Sequence, residues 1–317
     1  MLDVTIGLLF TFMMLSLLGT TLNELIASWR GWRGFYLEEG LKRLLEFKDD
    51  PKIFEKFANN PYYKQMLQHK APLRISQAPA YLSPANFTSI LFKVLKTKDK
   101  TVAKAEDLLA DLPPDSQLRK VLEQMKEEGH ENLESYKVRL QGWFDDILWQ
   151  SSGWYKRHLQ FVTFFVGLSI AIVFNADTFQ VYSHLANNAA ARQKLSALAE
   201  NFVNKNATLP TPNVPDSLGL NQIKARVDEF IGSEEFSKTA NILGLGWEAE
   251  DMPENWKDWI YRLLGWCVTA FAISLGAPFW FDVLKKIINI RSADSTAKTN
   301  TSPQVVINTN NNPAKSK

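Results

Sequence analysis

The sequence predicts an all-α integral membrane protein with three transmembrane helices, a helical cytoplasmic domain and a smaller helical external domain. Three observations predict it. Residues 4–22, 159–176 and 260–281 form apolar stretches close to the ~20 residues a helix needs to cross ~30 Å of hydrocarbon. No segment of any length alternates apolar and polar residues with the period of a strand. Between the apolar stretches, hydrophobic residues recur at helical spacing and are interrupted by Pro and Gly.

Taken in order, the first stretch, VTIGLLFTFMMLSLLGTTL, carries no charge. Asp3 precedes it, no Lys or Arg does, and no A-x-A-like cleavage pattern follows, so an uncleaved anchor is expected rather than a signal peptide. We assign residues 1–25 to this helix, with the N-terminus outside. Residues 26–158 follow as the cytoplasmic domain. Within it, Phe35, Leu37, Leu41, Leu44 and Leu45 share helical spacing, and Asp50-Pro51 and Ser83-Pro84 read as helix starts. Pro113-Pro114 and Gly129-His130 bound another helix, with Leu118, Val121, Leu122 and Met125 on one face. The next helix carries Leu133, Tyr136, Leu140, Trp143, Phe144, Ile147 and Leu148 and is expected to bend near Ser151-Ser152-Gly153.

The second span, residues 159–177, opens after Trp154, Tyr155, Lys156 and Arg157, the aromatic and basic pattern of an interfacial anchor. The external region, 178–255, begins with a Gly- and Pro-free helical run and contains a Pro/Asn linker at 204–219. It carries six Lys/Arg against eleven Asp/Glu when counted from Asp177 to Asn255. Residues 256–291 hold the third span and a juxtamembrane helix; Arg262 can snorkel near its start, and Pro278 is expected to bend it near its end. The tail, 292–317, is poor in apolar residues and is expected to be disordered on the cytoplasmic side. Orientation follows from Arg30, Arg33, Lys42 and Arg43, from Lys156 and Arg157, and from Lys285, Lys286 and Arg291, all three flanks being read as cytoplasmic.

The chain has 317 residues, a formal net charge of +2 and one cysteine. One cysteine excludes an internal disulfide framework or a Cys-based zinc site within one chain, and the near-neutral charge argues against a nucleic-acid partner. His69, His130, His158 and His184 show no metal-ligand spacing, and no phosphate-loop, dinucleotide or nucleophile-elbow motif is present. Gly244-Leu245-Gly246 reads as a turn. Asp145-Asp146 could bind a divalent cation or move protons. The preferred reading is an amphipathic helix whose aspartates face Lys156, Arg157 or solvent. No catalytic residue, cofactor site or metal site is expected.

Polar groups beside the spans are the better candidates for function, because burying them in hydrocarbon is costly. These are Glu24, Asn175, Asp177 and Asp282, all near a membrane boundary; Asn23 and Arg262 lie beside them. Small residues recur at four-residue spacing as Ser16 and Thr20, Gly167 and Ala171, and Ala272 and Gly276, which favours close helix packing within or between chains.

Four segments resemble a widespread group of bacterial inner-membrane proteins of no established activity. They are TLNELIASWRGWRGFYLEEGLKRLL, PAYLSPANFTSILFKVL, WFDDILWQSSGWYKRHLQFVTFFVGLSIAIVFNADTF and the closing SLGAPFWFDVLKKIINIR. The resemblance implies the bacterial inner membrane and the three-span layout, and it carries no site residues over. The expected function is a non-enzymatic scaffold or assembly subunit, with the bilayer, further copies of the chain or a larger membrane complex as partners. The alternative is a subunit of an oligomeric channel or transporter, with Glu24, Asn175, Asp177 and Asp282 at its entrance.

Overall fold

The computed structural model describes residues 1–45, 52–68, 74–95, 109, 112, 116–128, 133–206, 208–209, 220–247, 252 and 255–299. Among the described residues it contains thirteen α-helices and no strand. Two helices are long and apolar enough to cross a membrane, or three if a sharply bent pair counts as one span.

The first is α1 (Leu2–Arg30). It ends at Gly31, whose φ of 69° suits glycine and whose N–H returns to Ala27 and Ser28 carbonyls. Helix α2 (Trp32–Leu45) follows at once, then α3 (Lys52–Ala58), α4 (Pro61–Gln65), α5 (Pro84–Leu95) and α6 (Gln117–Glu127). Ser83 opens α5 as expected, its hydroxyl accepting from Asn86 N at 3.2 Å. Asp50-Pro51, Pro113-Pro114 and Gly129-His130 lie outside the described residues.

Helix α7 (Leu133–Val173) is 41 residues long, about 60 Å at the usual rise. It is helical through Ser151-Ser152-Gly153, where a bend was expected. Its first third packs with α2, α3, α5 and α6 in one hydrophobic cluster that includes Leu41, Phe57, Leu122, Tyr136, Leu140 and Phe144. There the Phe87 and Phe144 rings stack with centroids 4.1 Å apart. Its last 19 residues are the second candidate span, Tyr155–Val173.

Beyond it stand α8 (Thr178–Asn187), α9 (Ala189–Lys205), α10 (Leu220–Ile231) and α11 (Glu234–Leu243). The helical run expected after Asp177 is split at Asn188, whose side chain leaves α8 and caps α9 by accepting from Ala191 N. These helices do not form a separate body. Leu185, Leu195, Phe202 and Phe236 share a second cluster with Phe10, Met13 and Leu17 of α1.

The third apolar stretch differs most from expectation. It forms α12 (Trp256–Ser274) and α13 (Ala277–Thr299), bent by 89°. The bend sits at Gly276, φ +86°, a left-handed conformation open to glycine, and not at Pro278. Pro278 instead occupies the first turn of α13, where its missing N–H costs nothing. Helix α13 then runs beside the first half of α1: Trp280 meets Phe12 with ring centroids 5.0 Å apart, and Phe281, Leu284 and Ile288 join the second cluster. Arg291 reaches Asp3 at 2.9 Å and Glu200 at 2.8 Å. The sequence reading puts Arg291 on the membrane face opposite Asp3 and residues 178–255, whereas here the three groups are in direct contact. The backbone stays helical to Thr299, so the expected disorder does not begin at Ser292. Residues 300–317 lie outside the described residues.

Candidate functional site

Polar side chains gather where α7 ends. The last turn of α7 closes through Ala176 N to Ala171 O, 2.8 Å, with Asn175 left-handed at φ 47°, a conformation asparagine tolerates. Asp177 then caps α8 by accepting from Phe179 N at 2.7 Å. Its carboxylate rests on the backbone of Gly265 in α12, so closely that a Cβ there would lie 1.9 Å from Oδ1. One turn on, the buried Thr269 hydroxyl donates to Ala176 O, 2.6 Å, and lies 2.7 Å from the Thr178 hydroxyl. Helices α7, α8 and α12 are thus joined by polar contacts that bury Asn175, Asp177, Arg262 and Thr269.

Arg262 does not snorkel. It is buried, with its guanidinium 5.6 Å from the Trp247 ring centroid. Trp247 in turn donates to Ile172 O at 2.7 Å and meets Trp266 with ring centroids 5.7 Å apart. Gly265, Thr269 and Trp247 carried no signal in the sequence that marked them, because each matters only through the residue it touches.

The other expected positions are spread over the fold. Glu24 is ion-paired with Arg33, just past the α1–α2 corner. Asp282 is exposed on α13. Asn23 donates to the Thr163 hydroxyl across α1 and α7 at 2.6 Å. Of the small residues, Gly167 faces Ala270 and Ile273 of α12, and Ser16, Ala171 and Ala272 are buried. Thr20 donates to Ser16 O in its own helix, and Gly276 makes the elbow. Where these residues meet another helix, they do so within the chain. Tyr155 is partly buried, Lys156 and Arg157 are exposed, and the Trp154 side chain lies outside the described residues.

His158 packs on Trp32, centroids 5.0 Å apart, and His184 Nε2 lies 3.2 Å from Ile242 O; His69 and His130 lie outside the described residues. Among the described residues no group of three His, Cys, Asp or Glu side chains is placed to hold a metal. Three cavities stand out. A polar one of about 640 Å³ lies between α8 and α11, lined by Gln180, Ser183, His184 and Asn187. An apolar groove of about 500 Å³ runs between α1, α7 and α10. A third, of about 530 Å³, lies at the start of the α7 span and includes Asp145. Comparison with family models, with curated proteins and with solved structures finds no match to the chain.

Proposed function

We propose that the chain is a non-enzymatic assembly subunit of the bacterial inner membrane, the location its sequence resemblance implies, linking bodies on the two faces of the bilayer. One observation carries this reading: α7 is a single helix that belongs to both hydrophobic clusters, with Tyr136, Leu140 and Phe144 in one and Ile170 in the other. A continuous rod of this kind transmits position rigidly between its ends. Apolar side chains including Phe161, Phe165, Ile172 and Val173 of α7 and Leu263, Leu264, Val268 and Phe271 of α12 point outward, as lipid or a neighbouring subunit requires. Two of the four groups expected at a channel mouth are otherwise engaged: Asp177 caps α8 and Glu24 holds Arg33.

In the proposed topology α1 and Tyr155–Val173 of α7 are the two crossings. Asp3 and Arg291 share an ion pair, so an even number of crossings separates them, and α12 with α13 enters and returns on one side. The basic flanks of α2 and α7 (Arg30, Arg33, Lys42, Arg43, Lys156 and Arg157) favour the cytoplasm for residues 32–147. The N-terminus, α8–α11 and Arg291 then face outward.

Two experiments test this. In a Cys267→Ser background, Ile290→Cys, at an exposed position, is expected to react with a membrane-impermeant maleimide in intact spheroplasts. Labelling only after lysis overturns the topology. Extraction into lipid nanodiscs is expected to yield a homo-oligomer or a stoichiometric complex; a strict monomer with no bound protein overturns the assembly role.

A further inference from the structure

The third cavity, about 530 Å³, sits where the α7 span begins, and Arg33, Tyr36, Tyr81, Asp145, Trp149 and Tyr155 line it. We propose that it seats the headgroup of a phospholipid bearing a primary ammonium, the ammonium at Asp145 among the aromatic faces and the phosphate at Arg33. The inference rests on the membrane reading above, because Tyr155 opens the apolar stretch and so puts the cavity at headgroup depth.

The lining matches both charges of that headgroup. Aromatic faces attract a cation, and a carboxylate beside them accepts hydrogen bonds from a primary ammonium that a quaternary one cannot donate. A guanidinium is the side chain suited to phosphate. Arg33 is held in place by its ion pair with Glu24. Leu37 and Leu148 complete the lining with apolar wall.

The walls are also held in place. The segment bearing Tyr81 is pinned to the α1–α2 corner: Ile75 N donates to Arg30 O at 3.0 Å, and the Ser76 hydroxyl donates to Glu38 at 2.6 Å. Gly34 lets the chain at Ala78 lie directly on α2, where a Cβ would fall 2.3 Å from Ala78 O. Among the lining residues, Tyr36 and Tyr155 are in ring contact, centroids 5.8 Å apart.

Native mass spectrometry of the full chain, released from micelles doped with equal amounts of phosphatidylethanolamine, phosphatidylglycerol and phosphatidylcholine of one acyl composition, tests this. The expected result is one retained lipid per chain, with phosphatidylethanolamine favoured about tenfold, the scale of one charge-assisted hydrogen bond. Asp145→Asn is expected to abolish that preference, and Trp149→Leu to weaken it about threefold; both positions are exposed, so folding is retained, as circular dichroism will report. Equal retention of the three lipids, or an unchanged preference in Asp145→Asn, overturns the proposal. Free phosphoethanolamine displacing the lipid at equal concentration overturns the lipid assignment in favour of a soluble ligand. The membrane reading itself fails separately, if alkaline carbonate strips the chain from vesicles.

Discussion

Gly265→Ala is the sharpest probe of the polar junction at the end of α7. An added Cβ would stand 1.9 Å from Asp177 Oδ1 and 2.3 Å from its Cγ, so the carboxylate must move. Moving it gives up the 2.7 Å bond from Phe179 N, a helix cap worth about 1 kcal/mol. Forcing extra volume into a packed site adds about 1–3 kcal/mol. Alanine offsets about 1 kcal/mol of this through its better helix propensity. The expected net loss is about 1–3 kcal/mol.

In an Asp177→Ala background the cap and the obstruction are both gone, and the same glycine change becomes neutral or stabilises by up to about 1 kcal/mol. The cycle should therefore show coupling of about 1–4 kcal/mol. Unfolding in mild detergent followed by circular dichroism measures all four proteins. An equal cost of Gly265→Ala in both backgrounds would refute the contact between Asp177 and α12.

Three further outcomes are expected. Gly34→Ala should cost about 2–3 kcal/mol, because its Cβ meets a backbone oxygen that cannot rotate away, whereas Gly142→Ala, with nothing within 4 Å, should be neutral or stabilising in the same melts. Burial raises the Tyr63 and Tyr136 hydroxyls well above the ordinary tyrosine value, so the folded state keeps protons that the unfolded chain releases. Stability should hold below about pH 10 and fall above it, and the double Phe variant should flatten that alkaline limb in a pH series of unfolding midpoints. Tyr136→Phe should also lose about 1 kcal/mol at neutral pH through the bond to Leu122 O. Arg291→Glu should cost about 1–2 kcal/mol beside Asp3 and Glu200, discounted for exposure, and Glu200→Arg should recover part of it.

The elements governed by local pattern were readable in the sequence. The all-α class, the Ser83 start of α5 and the buried stripe Tyr136, Leu140, Phe144 follow from periodicity and capping. The elbow was not, because it turns on one dihedral: Pro278 reads as the bend and Gly276 as a packing position, yet proline fits the first turn of a helix and glycine alone accepts φ +86°. Arg262 looked like a snorkelling cation until Trp247, fifteen residues away in sequence, supplied a ring. Arg291 reads as a flanking charge, and its ion pairs with Asp3 and Glu200 carried no signal in the sequence. Charge counts treat residues singly, whereas these outcomes are set by pairs distant in the chain.

The same distinction reverses the roles of the candidate spans. Hydropathy ranks α1 highest, yet 78% of its apolar window is buried inside the protein, against 17% for the span on α7. A helix apolar on every side can be enclosed by lipid or by other helices, and composition cannot distinguish the two. Here the helices around α1 decide it: Leu185 and Leu195 close on Gly7, and Ile273 closes on Gly19. The outward Phe161 and Phe165 of α7 and Leu264 and Phe271 of α12 have no such cover among the described residues. A polar substitution midway along α1 therefore disturbs packing, whereas one on those outward faces disturbs the fit to the bilayer or to a neighbouring subunit. The two classes separate experimentally, since only the first lowers the melting temperature of the isolated chain in detergent.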